Sequence, residues 1–76
     1  MTRFFFDYTA KDRSLLDYLG DEFRSPQAAV DYAETIAENL KHSLTEDWTG
    51  WSIDVRNAQG TRLFSVGVDT AGLMAA

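Results

Sequence analysis

The chain has 76 residues, of which 45% are hydrophobic, and it contains no cysteine. A chain of this length forms one small domain with a stability of about 3–5 kcal/mol, and the lack of cysteine excludes disulfides, thiolate chemistry and Cys-based zinc sites. Twelve acidic residues against seven scattered basic ones give a formal net charge of −5, which disfavours binding to nucleic acids or to anionic membrane surfaces.

A first strand is predicted over residues 2–8, because side chains on its two faces alternate with a period of two. One face carries Phe4, Phe6 and Tyr8, and the other carries Arg3, Phe5 and Asp7. Three consecutive phenylalanines favour a strand that is paired on both sides. We therefore expect the first and last strands in the middle of the sheet, because both carry apolar residues on both faces.

A polar turn precedes a short second strand, which is predicted over residues 15–19. The phase of this strand is ambiguous, but Asp17 marks one side as polar. Leu16 and Tyr18 are therefore predicted to face inward. Gly20 follows as a turn or bulge.

The strongest pattern in the chain predicts a helix after Ser25. This serine is a natural N-cap, and Pro26 suits the first helical position because its missing N–H costs nothing there. Six apolar positions then follow the spacing of one buried stripe, namely Ala29, Ala33, Ile36, Ala37, Leu40 and Leu44. Since three of them are alanines, we expect the helix to lie close to a sheet.

A C-terminal hairpin is predicted from two further strands. Trp51, Ile53 and Val55 alternate with polar residues, as in a half-buried strand. Residues 57–60 read Asn-Ala-Gln-Gly, which fits a type I turn. Residues 61–68 form the partner strand.

The predicted order of elements is β-β-α-β-β. It describes a single α+β domain over residues 1–68, with a three- or four-stranded, mostly antiparallel sheet and one helix packed on one face. Residues 69–76 are small and apolar without periodicity, and we expect a frayed tail there.

Residues 17–23 read Asp-Tyr-Leu-Gly-Asp-Glu-Phe, a D-x-x-G-x-E-F motif between the aromatic first strand and the alanine-rich helix. The strand Trp-Ser-Ile-Asp-Val and the Asn-Ala-Gln-Gly turn follow. In this order and spacing, about residues 3–68 resemble a family of short bacterial proteins described only as a domain of unknown function. The resemblance implies a compact α+β domain in the bacterial cytoplasm, and it brings no known activity, ligand or catalytic residue.

Few residues could carry catalysis or bind a metal. His42, the only histidine, lies near the helix end, where positive charge suits the helix dipole, and the adjacent Ser43 would point away from it. Asp17, Asp21 and Glu22 lie close in sequence, but they lack the regular ladder of a calcium loop. We expect no enzyme, no cofactor and no metal. The alternative is a small-ligand or carboxylate-based enzyme site at these residues, which would need a raised pKa and a cavity.

The functional hypothesis depends on three apolar residues that lie outside the predicted core. Phe5 and Leu63 fall on the sheet face away from the helix, and they form a small apolar patch if the first and last strands are neighbours. Trp48, in a polar loop, either plugs the open end of the core or anchors a partner. The prediction is a non-catalytic protein–protein interaction module that binds a protein partner or forms a weak homodimer through the sheet. An acidic mimic that binds a basic partner is a further alternative.

Location follows from the apolar runs. The longest run near the N-terminus is Phe-Phe-Phe, far shorter than a signal-peptide core or a membrane span. We therefore expect a cytoplasmic protein with neither membrane nor nucleic acid as a partner.

Overall fold

The computed structural model describes residues 1–69 and shows five antiparallel strands and one helix. The elements are β1 (Thr2–Thr9), β2 (Ser14–Leu15), β3 (Asp21–Phe23), α1 (Pro26–Lys41), β4 (Ser52–Asn57) and β5 (Arg62–Gly67). The predicted α+β fold, with the helix packed on an antiparallel sheet, is confirmed, and the sheet has one strand more than expected. The predicted frayed tail lies outside the described residues, except for Asp69.

The sheet is built around β1. Its one side pairs with β4, in a register that places Phe6 opposite Val55, and its other side pairs with both β2 and β3. β5 pairs with β4 and forms the outer edge. The expectation that the last strand lies in the middle of the sheet is therefore wrong, and the first and last strands are not neighbours. β4 occupies the position beside β1, and the tight hairpin keeps β5 next to β4. β5 therefore lies on the far side of β4 from β1.

The predicted second strand is replaced by two shorter ones. β2 pairs with the end of β1, through Tyr8 and Leu15, and β3 pairs with its beginning, through Phe4 and Asp21. The segment between them leaves the sheet. Leu16 and Tyr18, predicted to face inward, are 51% and 82% exposed, so this prediction is wrong. The strand pattern is overridden because Asp17 holds the chain in a loop.

The helix begins as predicted. The Ser25 hydroxyl accepts a hydrogen bond from the backbone N–H of Ala28, at 3.2 Å. The three alanines of the predicted stripe, Ala29, Ala33 and Ala37, are completely buried against the sheet. Ile36 and Leu40 are half-buried and pack against the same core. Leu44 is 99% exposed, because the helix already ends at Lys41. Its assignment to the buried stripe is wrong.

The core lies between the helix and one face of the sheet, and the predicted phases of three strands are confirmed. Its buried sheet residues are Phe4, Phe6, Ile53, Val55, Val66 and Val68. The hairpin turn also forms as predicted, since the Gly60 N–H donates to the Asn57 carbonyl at 3.0 Å and Gly60 adopts a φ of +90°. The helix and one face of the sheet therefore enclose a single small core.

Candidate interaction surface

Asp17 fixes the segment between β2 and β3. One carboxylate oxygen accepts the backbone N–H groups of Leu19 and Gly20, each at 3.0 Å. The other oxygen accepts the N–H of Phe6 in β1, at 3.1 Å. Partial burial alone would raise the pKa of Asp17, but these three N–H groups, with Arg56 nearby, hold the pKa below its usual value. The loop is therefore tied to the central strand by an ionised carboxylate.

A second set of bonds holds the same loop from the outer face of the sheet. Arg56 in β4 binds Asp7 in β1 with two hydrogen bonds, from Nε at 2.7 Å and from Nη2 at 3.1 Å. Asp7 also accepts the Asp17 N–H at 2.9 Å, and Arg56 donates to the Asp17 carbonyl at 2.8 Å. Asp7 is only 6% exposed. Such paired, charge-assisted bonds are strong, so the loop backbone is held on both sides.

Gly20 completes the loop at a place where any side chain would strain the backbone and displace its neighbours. Its φ is +69°, and a Cβ atom there would lie 2.7 Å from the Phe4 carbonyl oxygen and 2.9 Å from the Phe5 ring. The rest of the motif is structural as well. Glu22 forms an ion pair with Arg3 at 3.3 Å. The D-x-x-G-x-E-F motif is thus the sequence of a loop that must lie tightly against β1.

Phe5 and Leu63 occupy separate places. Phe5 is half-buried on the outer face, with the Arg56 guanidinium 4.7 Å from its ring centre. Leu63 is 45% exposed on β5, and it is the extra residue where the register with β4 shifts between Val55 and Arg56, a β-bulge. Since β4 separates the two strands, the predicted patch does not form. That Phe5 and Leu63 contact a partner stays a prediction.

Trp48 packs against the open end of the core. Its ring lies edge-on to Tyr8 at 5.9 Å and to Trp51 at 5.2 Å. It is half-buried and contacts the core cluster. These contacts favour the hypothesis that Trp48 closes the open end of the core over the hypothesis that it anchors a partner. A groove of about 550 Å³ lies beside it, and Leu44 and Asp69 are among its lining residues.

Four exposed apolar side chains lie close together in sequence, in the segment that Asp17 holds. We call residues 15, 16, 18 and 19 the apolar loop; their exposed fractions are Leu15 54%, Leu16 51%, Tyr18 82% and Leu19 82%. The strand pattern does not reveal this surface, because it places Leu16 and Tyr18 in the core. The signal that could have revealed it is the aspartate within a run of leucines, followed by glycine three residues later.

A groove of about 390 Å³ runs between the apolar loop and the helix; we call it the loop–helix groove. Its lining includes Tyr8, Leu16, Asp17, Asp21, Tyr32 and Ile36. Burial, Tyr32 and Asp17 together raise the pKa of Tyr8, because all three disfavour a phenolate. Of the three predicted carboxylates, the structure brings Asp17 and Asp21 to this groove, whereas Glu22 pairs with Arg3. The groove combines aromatic and apolar walls with negative charge.

Residues 1–69 give little support for a metal site or for a catalytic nucleophile. Within residues 1–69, no three His, Asp or Glu side chains come close enough together to hold a metal ion. His42 is exposed at the helix end, with Nε2 3.0 Å from a carboxylate oxygen of Glu38. The neighbouring Ser43 hydroxyl instead accepts the N–H of Glu46. No helix in residues 1–69 has the length and hydrophobicity needed to span a membrane.

These features define a small α+β domain in which one helix covers one face of an open antiparallel sheet and an apolar loop is anchored beside the central strand. The chain belongs to the DUF6894 family, a domain of unknown function, whose family model matches residues 3–69. This confirms the resemblance seen in the sequence. No curated protein and no solved structure shows significant similarity to the chain.

Proposed function

We propose that this protein is a non-catalytic protein–protein interaction module that binds its partner through the apolar loop. The observation that carries the proposal is the contrast between exposed side chains and a fixed backbone. Tyr18 and Leu19 are each 82% exposed, although the backbone on either side of Tyr18 is hydrogen-bonded, at Asp17 to Asp7 and Arg56 and at Leu19 to the Asp17 carboxylate. Exposed apolar side chains on an ordered backbone are typical of binding sites.

The energetics favour such a surface. Each leucine or tyrosine that becomes fully buried contributes ~1.5–3 kcal/mol, whereas association costs at least ~4 kcal/mol in lost translation and rotation. Tyr18 and Leu19 are largely exposed, and Leu15 and Leu16 are about half-exposed, so burial of all four would offset about the lower end of this cost. A loop that is already ordered also avoids the entropy of ordering on binding.

Two other readings have less support. The pKa of Asp17 is lowered, which is the opposite of what a general acid at this site would need. Self-association through the edge of β5 is disfavoured by the bulge at Leu63, since bulges twist an edge away from pairing. The sheet is therefore a weaker candidate than the apolar loop.

The test compares three immobilised proteins in a bacterial lysate: wild type, a Tyr18→Ser, Leu19→Ser double variant, and Leu44→Ser. Leu44 is the matched control, because it is a 99% exposed leucine outside the apolar loop. We expect wild type and Leu44→Ser to retain the same protein in near-stoichiometric amount, and the double variant to lose it. Equal retention by all three proteins, or retention by none, would overturn the proposal.

A further inference from the structure

We infer that the loop–helix groove receives a lysine or arginine side chain of the partner, next to an apolar residue that packs on the apolar loop. The inference rests on the proposed function and names the chemistry of the partner. The partner's binding segment should therefore contain a basic residue next to an apolar one.

Charge complementarity is the first observation. Of the described residues that line the groove, the charged ones are Asp17 and Asp21, and both are acidic. Arg3 pairs with Glu22, whereas Arg56 pairs with Asp7 and also lies near Asp17, to whose backbone carbonyl it donates. Backbone N–H groups already bind both carboxylate oxygens of Asp17, so the exposed carboxylate of Asp21 is the group that would pair with a partner's cation, and the charge of Asp17 adds to the negative field of the groove.

The aromatic walls are the second observation. Tyr8 and Tyr32 both line the groove, one from β1 and one from α1. Tyrosine faces attract ammonium and guanidinium groups through the ring quadrupole, with most effect where water is partly excluded. Tyr8 is half-buried, so its ring provides such a place. Two carboxylates and two tyrosines together fit a cation better than a neutral or anionic group.

The size and position of the groove agree with this occupant. Its volume of about 390 Å³ lies at the lower end of the ~300–1,000 Å³ range of ligand sites. Leu15 and Leu16 belong to both the groove and the apolar loop. If a basic side chain of the partner binds in the groove, the next residue of the partner would contact Leu15 or Leu16. The loop–helix groove and the apolar loop would then form one continuous binding surface.

The test uses two blocked dipeptides of the same shape, acetyl-Leu-Arg-amide and acetyl-Leu-citrulline-amide, in which only the charge differs. Each is titrated into the ¹⁵N-labelled protein, and the amide signals of Leu16, Asp21 and Tyr32 are followed by NMR. We expect saturable shifts with the arginine peptide, with a dissociation constant on the order of 1 mM. The citrulline peptide should bind at least severalfold more weakly.

Two variants separate the groove from general electrostatics. Asp21→Asn should weaken binding of the arginine peptide about two- to fivefold, as expected for an exposed charge pair. Asp69→Asn removes the same charge outside the groove and should leave the binding unchanged. Equal binding of both peptides, equal effects of both variants, or shifts confined to another surface would overturn the inference.

The two proposals fail differently. If the captured partner depends on Tyr18 and Leu19 but the peptides show no charge preference, the groove assignment is wrong and the interaction module stands. If the arginine peptide binds in the groove but the apolar-loop variant captures the same proteins as wild type, the proposed function is wrong.

Discussion

Replacing Asp17 by asparagine removes one charge and one acceptor from the centre of the loop. Asparagine keeps a single oxygen, which can still accept the N–H groups of Leu19 and Gly20. Its NH₂ group would then face the N–H of Phe6, a donor against a donor. The bond from the Asp17 side chain to β1 is therefore lost, although asparagine has nearly the same shape as aspartate.

The expected cost follows from the bond that is lost. A hydrogen bond to a charged group contributes ~1.5–3 kcal/mol, so Asp17→Asn should reduce the free energy of unfolding by about that amount. This is a large share of the ~3–5 kcal/mol that a single core of this size supplies. With a urea slope of about 1 kcal/mol per molar, the midpoint should fall by roughly 1.5–3 M.

The assay is urea unfolding at pH 7, followed by circular dichroism, with Asp21→Asn as the control. Asp21 lies in the same motif and carries the same charge, but its side chain is exposed, so its loss should change the free energy by less than ~0.5 kcal/mol. If Asp17→Asn unfolds within ~0.5 M of wild type, or if both variants lose the same stability, Asp17 does not anchor the loop.

The remaining predictions concern the same loop. Because the folded-state pKa of Asp17 lies below its usual value of 3.8, its contribution to stability is present above that pH and disappears as the pH falls through the lower folded value. The difference in urea midpoint between wild type and Asp17→Asn should therefore shrink as the pH is lowered from 6 towards 3, and a constant difference would contradict this linkage. Gly20→Ala should cost more than ~2 kcal/mol, since a positive φ costs ~1–2 kcal/mol and the Cβ would also overlap the Phe4 carbonyl. Gly60→Ala shares the positive φ but meets open space, so urea melts should show only ~1–2 kcal/mol, and equal losses at the two glycines would refute the close contact.

Most of the regular structure was predictable from local sequence. The helix start at Ser25 and Pro26 and the turn that ends in Gly60 depend on residues within four positions of one another. Likewise, the alternation along β1 and β4 depends only on the period of a strand. Such features are set by short-range geometry, and a single sequence contains all the information they need.

The loop was predicted wrongly because its stabilising bonds join residues that are far apart in the chain. Read locally, the leucines around Asp17 form a strand. In the structure, the Asp17 carboxylate reaches Phe6 in β1, and Arg56 reaches across from β4 to the Asp17 carbonyl. Once these bonds form, the leucines can no longer alternate in a sheet, and they become the exposed apolar loop.

What the sequence by itself determined is the class of fold, the helix with its cap, the inner faces of three strands and the absence of cysteine chemistry. Only the tertiary structure decided the strand order, the separation of Phe5 from Leu63, and the groove that unites Asp17, Asp21 and Tyr32. The physical reason is the range of the interactions. Capping, turns and alternation are local, whereas pairing partners and surface clusters depend on which distant segments come to lie beside β1.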